Sequence, residues 1–477
     1  MAFAATTIWE VQETGDDDNG GAFDSSASGD DYTQGTYQQT QEWASSGGDY
    51  TNDLAATDAS PSVLTSAARG VAVGGNGFTS GDEGNAIKIS AGTNFVAGWY
   101  QIVSVDGSGN ATLDRNCCSG GAGSAGSGIL GGALATPGGL GAALDAVGVS
   151  GMKGYIKKGA SDYTLTTATL NVSGGPISLG TTMLDKWCLI KGYETSRDDY
   201  YPDADRPAIN AGAINSGSVV TMGGNTNTRH LHNIEIDGNS NSLINGIAIS
   251  PGGNVDNYCY RVEVRHCDGS RGFLSVRCIA CKAYSNNAIG FQTCMCYGCW
   301  ADANGLDGFS GSQYYQQINC IATNNGGDGF TGSDAFCINC VAYNNSGDGF
   351  QPAVTTSPIT CINCISYGNS GYGFNNTQNT MLLNCATGNN SSGRYNATPP
   401  FDLGAITLTL SDTDGPFTDP TNGDFSLDPT SADYDLLKAA ATSPYAQDSY
   451  LDVGAVQHED TGGGGATLII KKQRRVM

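Results

Sequence analysis

A short unit marked by cysteine and glycine recurs through the second half of the chain, and no other feature restricts the possible folds so strongly. From Arg271 to about Ser391 the unit approximates C-x-N-C-x-A-Y-x-N-x-G-D-G-F, with copies such as CYGCWADANGLDGF, CINCVAYNNSGDGF and CINCISYGNSGYGF. The glycine of its Gly-Phe pair falls at Gly272, Gly290, Gly308, Gly329, Gly349 and Gly373, so successive spacings are 18, 18, 21, 20 and 24 residues. A unit this short cannot bury an apolar face by itself and must stack on its neighbours. It is too short for two packed helices, and its Gly/Asn density disfavours helix. A coil of about three short strands fits, with the length variation taken up by a corner that bulges outward. The chain is therefore expected to be all-β, a parallel β-helix.

The columns of that repeat carry the candidate site residues. Cys278/Cys281, Cys296/Cys299, Cys337/Cys340 and Cys361/Cys364 are C-x-x-C pairs, a spacing that can bind zinc. The main column continues at Cys320 and Cys385, however, where the upstream partner is Gln317 or Leu382. A leucine suits a buried ladder and abolishes a metal site, so a core ladder is the preferred reading and zinc the alternative. Asp307, Asp328 and Asp348 each precede Gly-Phe. Carboxylates stacked one coil apart, ~4.8 Å, could hold calcium or act as an acid/base pair on a glycan. Asp-Gly is equally a turn dipeptide, and the structural reading is placed first. Asn287, Asn325, Asn345 and Asn369 are expected to satisfy turn backbone. His230 and His232 alternate on a strand and share a face, but two ligands do not close a metal site.

The chain has 477 residues, 22 Lys+Arg against 46 Asp+Glu and a formal net charge of −24. Such a surface repels nucleic-acid phosphates, so DNA and RNA are excluded as partners. The N-terminal stretch shows neither a signal-like apolar region nor a membrane-spanning run. That reading predicts folding in a reducing cytoplasm with mostly free thiols.

Several segments resemble the pectate-lyase-like right-handed parallel β-helix superfamily, most of all its branch in bacteriophage virion proteins and large bacterial surface proteins. ATPGGLGAALDAVGVSGMKGYIKKGASDYTLT (135–166) is similar to an opening in which a short Ala-rich helix caps the coils. KGYETSRDDYYPDADRPAI (191–209) and IEIDGNSNSLINGIAI (234–249) look like further coils, and YDLLKAAATSPYAQDSYLDVGAVQ (434–457) like a closing segment. The resemblance covers about 129–457 and specifies fold more than activity. The family's enzymes would require clustered acids with a basic residue, or Asp pairs with a His. No such set transfers residue by residue, because Arg271, Arg277 and Lys282 stand only at the start of the regular coils and no His lies between His266 and His458. The enzymatic reading is accordingly placed second and no resident cofactor is expected, with calcium as the possible exception.

The expected organisation is an acidic Gly/Ser-rich arm (1–60), a small β domain with a Gly-rich connector (61–128), the β-helix (129–457) and a glycine hinge with a basic tail (458–477). In the tail, Leu468, Ile469 and Ile470 precede Lys471, Lys472, Arg474 and Arg475, a pattern suited to docking. The leading expectation is a virion structural protein, a tail spike, fibre or capsid-decorating appendage. It would be a homotrimer by analogy, contacting other virion proteins and a host-surface polysaccharide, without membrane insertion. The alternatives are a polysaccharide lyase or glycoside hydrolase, and a bacterial surface adhesin or filament subunit.

Overall fold

A computed structural model describes residues 3–437, excepting 35–48, 74–76, 166–176, 179–187, 201–204, 213, 215–216, 223–228, 242–243, 250–256, 270, 312–315, 355–356, 376–379, 398, 400 and 409–414. The docking-tail positions Leu468 to Arg475, and most of the expected closing segment, lie outside the described residues. Among the described residues, strands fall into sheets of thirteen, eleven and ten strands, a closed six-stranded barrel and a two-stranded hairpin. The expected fold is present: a right-handed parallel β-helix with a small antiparallel barrel. No described helix is long and apolar enough to cross a membrane.

The chain divides into two compact units, the first comprising Met1–Ala213, Val220–Glu235 and Ser250–Asn257. It differs from expectation at both ends of the β domain. Thr7–Val11 is not a loose arm but a strand, paired in parallel with Met152–Lys157 and antiparallel with Ala22–Asp24. Glu10 on that strand is buried, accepts from the hydroxyl of Tyr193 and pairs with Arg197 at 2.9 Å, which ties the N-terminal strand to the coils. The barrel runs from Asp49 to Leu130, so it begins before residue 61. Its last strand, Gly123–Leu130, is the segment that looks like a connector in sequence. The glycines are there for close approach: a Cβ on Gly126 would meet the Phe95 ring at 2.5 Å and Leu54 at 2.8 Å. Cys117 and Cys118 join the apolar barrel core with Leu54, Ile87, Ile102 and Leu130.

After the barrel, the helix Pro137–Val147 begins where the Thr136 hydroxyl accepts from Gly139 N–H and proline occupies the first turn. It ends at Gly148, whose φ of 59° is the left-handed conformation glycine adopts without strain. The helix packs Leu140 against Gly154 of the following strand, the capping arrangement the resemblance implies.

The second unit comprises Ile214–Val219, Ile236–Ile249 and Tyr258–Met477, and it contains the repeats. Each coil contributes one strand to each sheet, and equivalent residues of successive coils stand in register. The first sheet places Cys278, Cys296, Gln317, Cys337, Cys361 and Leu382 in one inward column. The second contributes inward Val264, Ala283, Ala301, Ala322 and Ala342, all fully buried. The third contributes Phe273, Phe291, Phe309, Phe330, Phe350 and Phe374, whose rings stack at 4.7 to 5.0 Å. Cysteine, alanine and phenylalanine thus define one cross-section, repeated coil by coil. Stacking like on like gives each of the four inner Phe rings an aromatic neighbour above and below.

The turn after the second sheet is held by an asparagine ladder. Asn286, Asn304, Asn325, Asn345 and Asn369 each donate from Nδ2 to the Oδ1 of the next, at 2.9 Å, and Asn390 accepts the last of these bonds. The first member is Asn286, not the neighbouring Asn287 expected from sequence.

Among the described residues the last parallel strand is Ile406–Thr407. The hairpin Phe417–Asp419/Asp424–Leu427 then folds back, burying Phe417, Phe425 and Leu427 against Ile321, Val341, Ile365, Tyr343 and Tyr367 on the outside of the second sheet.

Candidate functional site

The stacked aspartates are built into turns. Asp307 Oδ1 accepts the Asp328 N–H at 3.0 Å, Asp328 Oδ1 the Asp348 N–H at 2.6 Å, and Asp348 Oδ1 the Tyr372 N–H at 2.6 Å. The second oxygens are also engaged: Thr331 donates to Asp328 and Asn375 to Asp348. With its amide turned to match, Gln351 donates to Asp328 as well. Each carboxylate therefore bridges its own coil to the next. Burial raises Asp307 above the usual carboxylate range. Burial, reinforced by Asp307 and Asp348 on either side, pushes Asp328 up to about 6.

All eight cysteines of the C-x-x-C pairs are buried with free thiols. Those of the second column point their thiols at main-chain carbonyls of the preceding coil: Cys281 donates to Cys259 O, Cys299 to Cys278 O, Cys340 to Gln317 O and Cys364 to Cys337 O, each at 3.3 Å. Among the described residues, no group of three or more His, Cys, Asp or Glu could hold a metal ion.

His230 and His232 share a face, as their alternation implies, with rings stacked 6.0 Å apart. The Tyr200 hydroxyl lies 3.2 Å from His232 Nδ1, and the Lys191 ammonium 3.6 Å from the Tyr200 ring. Burial pulls both imidazoles down to about 4 and lowers Lys191. Lys191 is only 4% exposed, so this cluster is packed rather than open to a polymer.

The open polar constellation lies on the outer face of the second sheet, just before the recognisable repeats. The strands Glu263–Cys267, Lys282–Tyr284 and Trp300–Asp302 pair so that Glu263, Lys282 and Trp300 form one outward column and Arg265, Tyr284 and Asp302 the next. Asp237, on the strand Glu235–Asn241, lies 3.2 Å from His266 Nδ1 and 3.2 Å from Arg265 Nη2. Its side chain is mostly buried, whereas that of His266 is 38% exposed. His266 has φ 51°, left-handed for a bulky residue, at a turn where later coils place Ser285, Ala303, Asn324 and Asn344 with similar φ. The left-handed turn therefore recurs coil after coil, and in this coil it carries a histidine, a residue type enriched at positive φ. Lys282 Nζ lies 4.5 Å from the Tyr284 ring and 4.2 Å from that of Trp300. Trp300 packs edge-on against Phe425, where the hairpin reaches this sheet, and among the described residues the hairpin does not cover the columns above it.

Chemically, the carboxylate of Asp237 fixes the imidazole. In the neutral ring the hydrogen bond places the proton on Nδ1 and leaves Nε2 as the base. Arg265, Lys282 and Tyr284 add cationic and phenolic groups within one or two coils, on a chain otherwise dominated by acids. The sequence marks Lys282 only as a sparse cation. Asp237 and His266 are 29 residues apart, and only their stacking in the fold brings them together.

No protein-family model matches the chain, nor does any curated protein. Solved structures do resemble it. The A-module of the Azotobacter vinelandii mannuronan C-5 epimerase AlgE4 is 17% identical, with 57% of this chain and 76% of that one covered and a TM-score of 0.37. The pectate lyase Pel9A is 14% identical over 57% of this chain and 88% of that one, TM-score 0.37. ORF18 of Geobacillus virus E2 is 14% identical over 59% of each chain, TM-score 0.39, so this chain spans under two thirds of that viral protein. At these identities the likeness is one of fold alone.

Proposed function

We infer that the chain is a glycan-directed β-helix protein that processes an acidic polysaccharide on the outer face of its second sheet. The observation that carries this reading is the Asp237–His266–Arg265 group, a carboxylate-oriented imidazole beside a guanidinium on an open face. Arg265 and Lys282 would take the sugar carboxylates, and His266 Nε2 would exchange a proton with the substrate, with Tyr284 as its acidic counterpart. The aspartate column is not assigned this role, because its oxygens already serve the turns.

The test is incubation with a panel of acidic and neutral polysaccharides, following product formation and binding separately. His266→Ala is expected to lower turnover at least 100-fold with binding retained. Arg265→Ala should weaken binding of acidic glycans only. No binding and no turnover on any acidic polysaccharide would refute the reading.

A second reading keeps the same face as the contact surface of a homotrimeric virion appendage that binds a host polysaccharide without altering it. It is favoured by an outer stripe on the first sheet that carries no acidic residue, which suits lateral packing between copies. Binding without turnover, together with abundant peptides of this chain in density-purified virus particles, would select it. Recovery from a secreted or cell-wall fraction would favour the enzyme or a surface adhesin.

A further inference from the structure

In the second unit, the seven first-sheet strands from Arg277–Ile279 to Phe401–Leu403 are in register, so their outward residues form two columns. Of these fourteen positions, only Arg277 is charged, and Gln316 and Thr360 are the only other polar residues apart from the tyrosine hydroxyl of Tyr297. The chain has 46 acidic residues, yet none stands in either column. Ile279, Tyr297, Phe336, Met381, Phe401 and Leu403 are between 37% and 62% exposed. The second sheet of the same unit carries a comparable apolar face, and there the hairpin covers it with Phe417, Phe425 and Leu427. Among the described residues nothing comparable covers the first-sheet columns.

We propose that this face is where a second copy of the chain packs, sheet against sheet. The exposed side chains and their half-buried neighbours offer roughly 800 Å², about what each partner contributes to a stable interface of standard size. Large contiguous apolar patches on soluble proteins mark such contacts. Charge selects the occupant. Copies carrying a formal −24 repel one another, and this face lets two of them meet without setting carboxylate against carboxylate. Both copies also present the same repeat of ~4.8 Å per coil, so the columns match along their whole length. The proposal rests on the homo-oligomeric part of the second reading above and names the surface it would use.

The test is the mass of the full chain in solution, by sedimentation equilibrium or light scattering. The wild type is expected at a multiple of 49.1 kDa. The double variant Phe336→Asp/Met381→Asp is expected at the single-chain mass with an unchanged circular dichroism spectrum. If that variant does not fold, Leu403→Asp, at the most exposed of the six positions, probes the same face. Leu306→Asp, outside the columns, should stay associated. Association that survives the column variants would overturn this surface while leaving homo-oligomers standing. A wild-type monomer would overturn both. A monomer that associates only when Leu468 and Ile470 are replaced by Asp would overturn the proposal too, by showing that the chain's own tail covers the face.

Discussion

Asp328→Asn is expected to stabilise the protein at alkaline pH and to leave it nearly unchanged in acid. Burial and two flanking carboxylates push Asp328 from 3.8 up to about 6. A carboxyl whose folded value is raised binds its proton more tightly when folded. The folded state therefore carries no penalty below about pH 4, a growing one between 4 and 6, and the full one above 6. A shift of about two units at 1.4 kcal/mol each makes that penalty roughly 3 kcal/mol. Asparagine removes the charge but keeps an Oδ1 to accept the Asp348 N–H. The exchanged bond is weaker without its charge, by about 1 kcal/mol, and partial exposure screens some of the repulsion, so a net gain of about 1–2 kcal/mol is expected at pH 8. Denaturant unfolding of wild type and variant at pH 4 and pH 8, each with EDTA and with calcium, measures it. A loss of stability at pH 8, or a wild-type stabilisation by calcium that the variant abolishes, would refute the reasoning and make the column a cation site.

Asn345→Ala should cost about 3–5 kcal/mol, because it leaves the Asn325 N–H and Nδ2, the Ala322 carbonyl and the Asn369 Oδ1 short of buried partners; equilibrium unfolding reads this directly, and a cost below 1 kcal/mol would mean that water reaches the ladder. Cys340→Ser should cost about 1 kcal/mol, the low end for a buried hydroxyl, since Ser Oγ can still donate to the Gln317 carbonyl that Sγ uses. The 16 cysteines are all buried as thiols, so a thiol reagent should label few in the native chain and all 16 after unfolding under non-reducing conditions; fewer in the unfolded chain would reveal disulfides. Gly126→Val should disrupt the barrel through Phe95 and Leu54, and would show as a lost unfolding transition if the barrel melts separately.

The coils were legible because every column has a chemical reason to repeat. Inward Phe stacks on Phe, Asn bonds to Asn, and a thiol finds a carbonyl one coil back, so a change in any one copy is felt by two neighbours. Where a strand's partner is remote, that signal fails. Thr7–Val11 pairs with a strand some 145 residues later, and nothing local announces it. Gly123–Leu130 has the composition of a linker and the role of a barrel strand, because its glycines are required by a phenylalanine 30 residues away in sequence. The Asp237–His266 pair was hidden by the same effect, lying in coils that precede the clear repeats. One signal was available: aligned on the turn, His266 places a titratable ring where later coils use Ser, Ala or Asn.

The outward columns of the second sheet show how cover and chemistry go together in a solenoid. Reading down one column, Glu263 and Lys282 give way at Trp300 to Ile321, Val341 and Ile365. The change from charged to aliphatic falls where the C-terminal hairpin begins to cover the sheet. Nothing in the coil geometry requires the change there, since the inward alanine persists past it at Ala322 and Ala342. The outward residues thus record what each coil faces: solvent and solute above Trp300, apolar chain below it. Applied to the first sheet, the same logic makes its two columns, with Arg277 their one charge, the anomaly. They have the composition of a covered face and the exposure of an open one, and a second copy supplies the cover that the hairpin supplies next door.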